Sequence, residues 1–234
     1  MIRAITFDFW NTLYKFTSEV QVSEQRVREF QTYLQQYGYL REVDALFELF
    51  RQTWKYTHQI QLEQGIDIGP SGQIDYILKE LGIQLLEAQW DEIYASYTTI
   101  LRRIPPEMND GVAETLPLLA QKYKLAVICN TGATPGSILR QFMEADGILQ
   151  YFSVQVFSDE VQWAKPNGKI FEHTLAALGV KAQEAAHIGD DARTDVAGAH
   201  LSGMTAIWLA PEATEAVDDC DYHIRQVKEL LDLF

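Results

Sequence analysis

Ile5, Thr6, Phe7, Asp8 and Phe9 set a run of apolar and β-branched side chains around a single carboxylate, and Asn11 and Thr12 then break the run. A short apolar run ended by turn residues is expected as a buried strand, here one that delivers Asp8 at its C-terminal end. Open α/β sheets take their ligands at that end of the strands. This first strand constrains everything after it. It needs neighbours to bury both of its faces, and its carboxylate needs partners.

The rest of the chain supplies neighbours in two styles. Residues 14–103 carry helical periodicity: Val27, Phe30 and Leu34 within 23–36, then Leu46, Leu49, Phe50 and Trp54 within 42–64, closed by Gly38 and Gly65. Gly69-Pro70-Ser71-Gly72 reads as a loop before helices over 74–81 and 86–101. Pro105 and Pro106 stop the last of these, because proline lacks the donor and clashes with the preceding turn. From there, helices expected over 112–122, 135–145, 167–178, 194–202 and 226–233 alternate with strands over 125–129, 154–157, 186–189, 205–209 and 222–224. Such alternation calls for a parallel sheet covered on both faces. The expected class is α/β: a doubly wound, Rossmann-like core of residues 1–13 and 104–234, with an inserted all-helical unit of residues 14–103.

Charge and composition exclude several functions. A formal net charge of −14 argues against non-specific binding to nucleic acid or to an anionic membrane surface. No apolar run approaches the roughly 20 residues of a membrane helix, and Met1-Ile2-Arg3-Ala4 enters the first strand without a signal-peptide layout. Cys129 and Cys220 are too few for a disulfide framework, so a cytoplasmic location is expected. On so acidic a chain, an anionic substrate must be attracted locally by a metal, a lysine or helix N-termini.

Three later segments supply partners for Asp8. They are Cys129-Asn130-Thr131-Gly132 at the end of the 125–129 strand, Lys165-Pro166, and Gly189-Asp190-Asp191 with Asp195 just beyond. Carboxylates clustered beside Asp8 would repel one another unless a cation binds among them. Hard oxygen ligands of this kind suit Mg²⁺.

In this order, at the ends of successive expected strands, these motifs resemble those of haloacid dehalogenase-superfamily hydrolases with a helical cap inserted after the first motif. The resemblance covers the whole chain. It implies that Asp8 is a nucleophile forming an aspartyl phosphate that water then hydrolyses, a route that divides one difficult displacement into two. It implies that Lys165 neutralises the nucleophile and the phosphoryl oxygens. Asp190 would ligate Mg²⁺ directly with Asp191 or Asp195 in support, and the Trp10 main-chain carbonyl would be a further ligand. The cap would close over the site and set the substrate, a small phosphorylated metabolite.

Two positions depart from that pattern. Trp10 stands where the family's phosphatases usually carry the general acid, and an indole supplies no titratable proton near neutral pH. The loss is worth roughly 10²–10⁴ in rate for a poor leaving group, which favours aryl and acyl phosphates. Cys129 stands where a Ser or Thr usually bonds the phosphoryl group. Thr131 and the amides of Thr131 and Gly132 are substitutes, and Cys129 is equally readable as a buried small residue. The family's true dehalogenases often carry an aromatic residue at the Trp10 position, but they work without a metal and usually have Ser and Asn where this chain has Gly189-Asp190-Asp191. The expectation is a Mg²⁺-dependent phosphohydrolase. A 2-haloacid dehalogenase-type hydrolase and a catalytically impaired binding protein on the same scaffold are the alternatives. Tyr33, Trp54, Tyr56, Trp90, Tyr94 and Tyr97 are expected mainly as helical-bundle core, Lys55 and His58 as surface, and the oligomeric state is left open.

Overall fold

The computed structural model describes residues 1–234. β1 (Ala4–Phe7) is followed by β2 (Tyr14–Lys15) and four helices, α1 (Glu19–Gln36), α2 (Val43–Gln64), α3 (Gly69–Leu81) and α4 (Glu87–Thr98). The chain returns through β3 (Glu107–Met108) and continues as α5 (Val112–Leu119), β4 (Lys124–Cys129), α6 (Gly136–Ala145), β5 (Phe152–Phe157), α7 (Ser158–Val161) and α8 (Gly168–Leu178). It ends with β6 (Ala185–Gly189), α9 (Ala197–Leu201), β7 (Thr205–Leu209), β8 (Tyr222–Ile224) and α10 (Leu230–Leu233). No helix is long and apolar enough to cross a membrane.

Six strands form one parallel sheet in the order β5-β4-β1-β6-β7-β8, which gives the expected α/β class. β1 lies between β4 and β6, and all four of its residues are buried. Side chains alternate across the sheet as the pleat requires. Ile5, Phe7, Val127 and Ile188 join one core layer, while Ala4, Ala126, Ala185 and Ala206 face the other, under Ile170 and Phe171 of α8. The register pairs Phe7 with Val127 on one side and with Ile188 on the other, so the three strands end level. That levelling, fixed by apolar burial, brings Asp8, Asn130 and Asp190 to one edge of the sheet.

The helices α1–α4 surround a core of their own, with Val27, Phe30, Leu34, Leu46, Ile74, Ile77 and Ile93 buried in it. The Ser18 hydroxyl caps α1 by accepting from the Gln21 amide at 3.3 Å. Where the chain leaves and re-enters the sheet layer, β2 and β3 pair antiparallel, Tyr14 against Met108. The loop between α2 and α3 is stitched to the segment between β5 and α8. The Gly65 carbonyl accepts from the Ala164 amide at 3.0 Å and from Asn167 Nδ2 at 2.9 Å, and the Asp67 amide donates to the Gln162 carbonyl at 3.1 Å.

Several expected elements are altered. The inserted unit is not helical from residue 14, because Tyr14 and Lys15 pair with β3. Gly69-Pro70-Ser71-Gly72 is not a loop but the first turn of α3. Proline costs nothing there, since the first-turn N–H groups have no intrahelical acceptor, and the Asp67 carboxylate accepts from the Gly69 amide at 2.9 Å. The helix expected over 194–202 opens as a π-helical turn, Ala192–Val196, before α9. The short α7 has no counterpart among the expected elements, being too brief to show a period.

Ile77 is fully buried in the helical core. Ile77→Ala is expected to lower stability by about 2–5 kcal/mol, read from the midpoint of urea denaturation at unchanged slope.

Candidate active site

Lys165 is 1% exposed, and its Nζ lies 2.5 Å from Asp8 Oδ1, 2.6 Å from Asp195 Oδ1 and 2.7 Å from the Ile128 carbonyl. An ammonium has three donors, and all three are used. The Asn130 side chain holds the lysine's backbone in a reciprocal pair: Nδ2 donates to the Lys165 carbonyl at 3.0 Å, and Oδ1 accepts from the Lys165 amide at 2.8 Å. β1 fixes Asp8, whose amide donates to the Ile188 carbonyl at 2.8 Å. Three strand ends thus meet on one buried cation.

Asp195 reaches this point from the π-helical turn and packs over Gly189. A Cβ on Gly189 would fall 2.2 Å from Asp195 Cγ, so only glycine allows the approach. His187 Nε2 lies 3.1 Å from Asp195 Oδ1, and His187 Nδ1 lies 2.8 Å from Thr6 Oγ1. An ionised carboxylate only accepts, so Nε2 carries the proton and Nδ1 accepts from the Thr6 hydroxyl. Burial, only partly opposed by Asp195, lowers the His187 pKa and keeps the ring neutral. Burial would raise the Asp195 pKa, but Lys165 and then His187 outweigh it and hold it at about 2. Lys165 is disfavoured by burial and more strongly favoured by Asp195 and Asp8, so its pKa rises.

The other two carboxyls are pushed the opposite way. Asp8 is raised well above the usual carboxylate range by burial, opposed by Lys165 and reinforced by Asp195 and Asp190. Asp190 is raised to about 6 by burial and then by Asp195, although Asn11 Nδ2 donates to it at 2.9 Å. Oxygens of Asp8, Asp190 and Asp195 lie within 4.8 Å of one another. Three carboxylates around one lysine leave an excess of two negative charges when all are ionised. An all-oxygen cluster with that excess fits a hard divalent cation.

The residues singled out in the sequence divide into two groups. Asp8, Lys165, Asp190 and Asp195 converge, with Asn130 holding Lys165. Asp191 does not join them. Its carboxylate accepts from the Arg193 amide at 2.7 Å and from the Arg193 side chain at 3.2 Å, which turns it out of the cluster. Cys129 lies inside β4 in the apolar core, and burial drives its thiol pKa well up. Thr131 is also occupied: its amide donates to Ser158 Oγ at 2.9 Å and its hydroxyl to Asp67 Oδ2 at 3.4 Å. Of the loop amides expected there, Gly132 alone donates to no protein acceptor. The Trp10 indole stacks on Phe16 with centroids 4.3 Å apart. His58 is not free surface: its Nε2 lies 3.1 Å from Arg193 Nη2. Thr6, Asn11 and His187 were missed. Thr6 and His187 look like ordinary strand residues, and only their buried polar side chains beside Asp8 and Asp190 hint at a role.

From Trp10 and the loop 130–134, a cavity of about 710 Å³ extends to α1 and α2. Small-molecule sites are typically of this size.

Among known proteins, the family described as haloacid dehalogenase-like hydrolase matches residues 2–203. The phosphoserine phosphatase of Thermus thermophilus is 36% identical over 124 residues, 50% of this chain and 47% of that protein, so the chain spans about half the length of this relative. The 5-amino-6-(5-phospho-D-ribitylamino)uracil phosphatase of Escherichia coli is 27% identical over 226 residues, 94% of this chain and 88% of that protein. Among solved structures, the 2-haloacid dehalogenase from Pseudomonas syringae pv. Tomato superposes with a TM-score of 0.75 at 23% identity, over 100% of this chain and 98% of the other. That last likeness is one of fold.

Removing the buried lysine leaves Asp8 and Asp195 without their cation. In chelator, Lys165→Met is expected to cost about 3–5 kcal/mol, and added Mg²⁺ should restore part of the loss; urea denaturation with and without the metal checks both.

Proposed function

The chain belongs to the haloacid dehalogenase-like hydrolases, and on that premise we propose that it is a Mg²⁺-dependent phosphohydrolase acting on a small phosphorylated metabolite through an aspartyl phosphate on Asp8. The observation that carries this reading is the set of three carboxylates around a single buried lysine. The names of the curated relatives above agree with it, since both are phosphatases of small phosphorylated compounds.

Asp8, Asp190 and Asp195 would hold the metal, with the Trp10 main-chain carbonyl as a further ligand. Bound there, the metal supplies positive charge to the phosphoryl oxygens and lowers their repulsion with the acidic site. The chain's own groups account for the steps. An Asp8 carboxylate oxygen attacks phosphorus, the bond from phosphorus to the leaving oxygen breaks, and the leaving oxygen departs with that electron pair. Lys165 stabilises the charge beside Asp8 throughout, held in place by Asn130 and Asp195. On the β4 side the donor offered to the phosphoryl group is the Gly132 amide. Water then attacks phosphorus, releases phosphate and returns Asp8 as a carboxylate.

Trp10 shapes the substrate range. Its indole cannot protonate the leaving oxygen, so the proton comes from solvent and weakly basic leaving groups react best. The inserted helices α1–α4 act as the cap, tied to the core at Gly65 and Asp67. Trp10 also motivates a second reading, a 2-haloacid dehalogenase-type reaction, whose signature is halide release that survives chelation.

Hydrolysis of p-nitrophenyl phosphate and acetyl phosphate tests the proposal. The expected outcome is turnover with Mg²⁺, none in EDTA, and a loss of at least about 10³-fold in Asp8→Asn, the scale on which losing a covalent route is felt. Turnover undiminished by EDTA or by the substitution would refute it.

A further inference from the structure

The cavity has two kinds of wall. The acidic side chains on it, Glu19, Asp44 and Glu48, are exposed at the rim, and Glu48 is already engaged by Arg51. Deeper in, the polar groups are donors. Arg26 of α1 is partly buried; its Nε donates to the Tyr97 carbonyl at 3.0 Å and its guanidinium lies over the Tyr97 ring, 5.3 Å from the centroid. Arg26 lines the cavity, and neither of its Nη groups donates to a protein acceptor. Burial pulls its pKa down, so a bare cation is disfavoured there. The Tyr97 hydroxyl in turn donates to Gln73 Oε1 at 2.7 Å, which leaves the amide nitrogen of Gln73 to the cavity. Gln61 of α2, 6% exposed, also lines the cavity, and its amide bonds to no protein group.

Buried polar groups ordinarily find partners. Here an arginine fork and two glutamine side chains, tied together in part by Tyr97, line a cavity open to solvent and have no protein partner for their free polar groups, so they are available to a ligand in it. The α2 hydroxyl groups on the wall do not fill the need: Thr53 and Thr57 bond back to the Leu49 and Thr53 carbonyls. Aromatic rings complete the wall, with Trp10 and Phe16 stacked near the phosphoryl end and Phe50 beside Tyr97 at the other.

We propose that Arg26, with Gln61 and Gln73, forms a second anion-recognising subsite in the cap, so that the substrate is a phosphate compound whose leaving group has a largely apolar body and a second anionic group, a carboxylate or a further phosphate. Arg26 is a specificity-determining residue in this account and takes no part in the chemical step. The inference rests on the phosphohydrolase reading for the phosphoryl end of the cavity, and its test is separable from that reading.

Binding is measured on the Asp8→Asn chain, which does not turn over, with Mg²⁺ present. Phenyl phosphate is compared with its 3-carboxy and 4-carboxy derivatives by calorimetric titration. A charge-assisted pair contributes about a tenfold gain or more, so at least one carboxylated ligand should bind about tenfold or more tightly than phenyl phosphate. Arg26→Gln in the same background should abolish that preference, and Arg26→Lys, which keeps the charge, should retain part of it. Equal binding of all three ligands, no binding of any, or a preference that survives Arg26→Gln would overturn the subsite. Turnover of p-nitrophenyl phosphate by the native chain answers the separate question of whether the phosphoryl end is a hydrolase.

Discussion

The contact on which the structure depends is the bridge that Lys165 makes between Asp8 and Asp195. It is almost wholly buried, where separating charges from water is costly and a missing partner is worse. Every nearby feature serves to hold it. β1 carries one carboxylate, the π-helical turn carries the other over a glycine that cannot be replaced without a clash, and Asn130 clamps the lysine's backbone from β4. A parallel sheet is well suited to this because its strands all finish on the same edge, and the register of β1 with β4 and β6 makes them finish level.

The bridge does not neutralise the site. Asp190 adds a further carboxylate, and the upward push on Asp8 and Asp190 expresses the cost of packing three acids around one lysine. A divalent cation bound there would remove that cost and, on the proposed reading, would supply the charge that phosphoryl transfer needs. The overall charge of −14 makes such local compensation necessary, because the surface of the chain repels the substrates proposed for it. Recognition is then divided in space. On the proposed reading the sheet edge would present Asp8 and a bound cation, while the helical unit presents Arg26 and two glutamine side chains around a cavity that starts at Trp10 and the loop 130–134.

Much of this was legible in the sequence because it follows from burial patterns. Asp8 and Asp190 each follow an apolar run, so their places at strand ends could be read from the pattern, whereas Lys165, well past the end of β5, was picked out by the match of Lys165-Pro166 to the family's motif order. What was not legible depends on side-chain direction over one or two residues. Asp191 and Asp195 are equivalent in composition, yet a π-helical turn sends Asp195 inward and leaves Asp191 to Arg193. Thr131 was expected to face the substrate, but Ser158 and Asp67 claim it, and Asp67 comes from a helical connection far away in sequence. The Gly69-Pro70-Ser71-Gly72 stretch has loop composition and forms a helix start, since its Pro lies where no N–H is missed and Asp67 caps the turn. Arg26 was hidden among surface charges on an amphipathic helix, and only the cavity distinguishes it.

The central claim is that Asp8 becomes phosphorylated within the cation-balanced cluster. The most direct measurement is acid quenching of the chain during turnover of acetyl phosphate, followed by mass spectrometry of its peptides. The account predicts a hydroxylamine-labile phosphate on the peptide containing Asp8, formed with Mg²⁺ and absent in EDTA. Phosphate on another residue, or turnover with no covalent phosphate at any quench time, would contradict it.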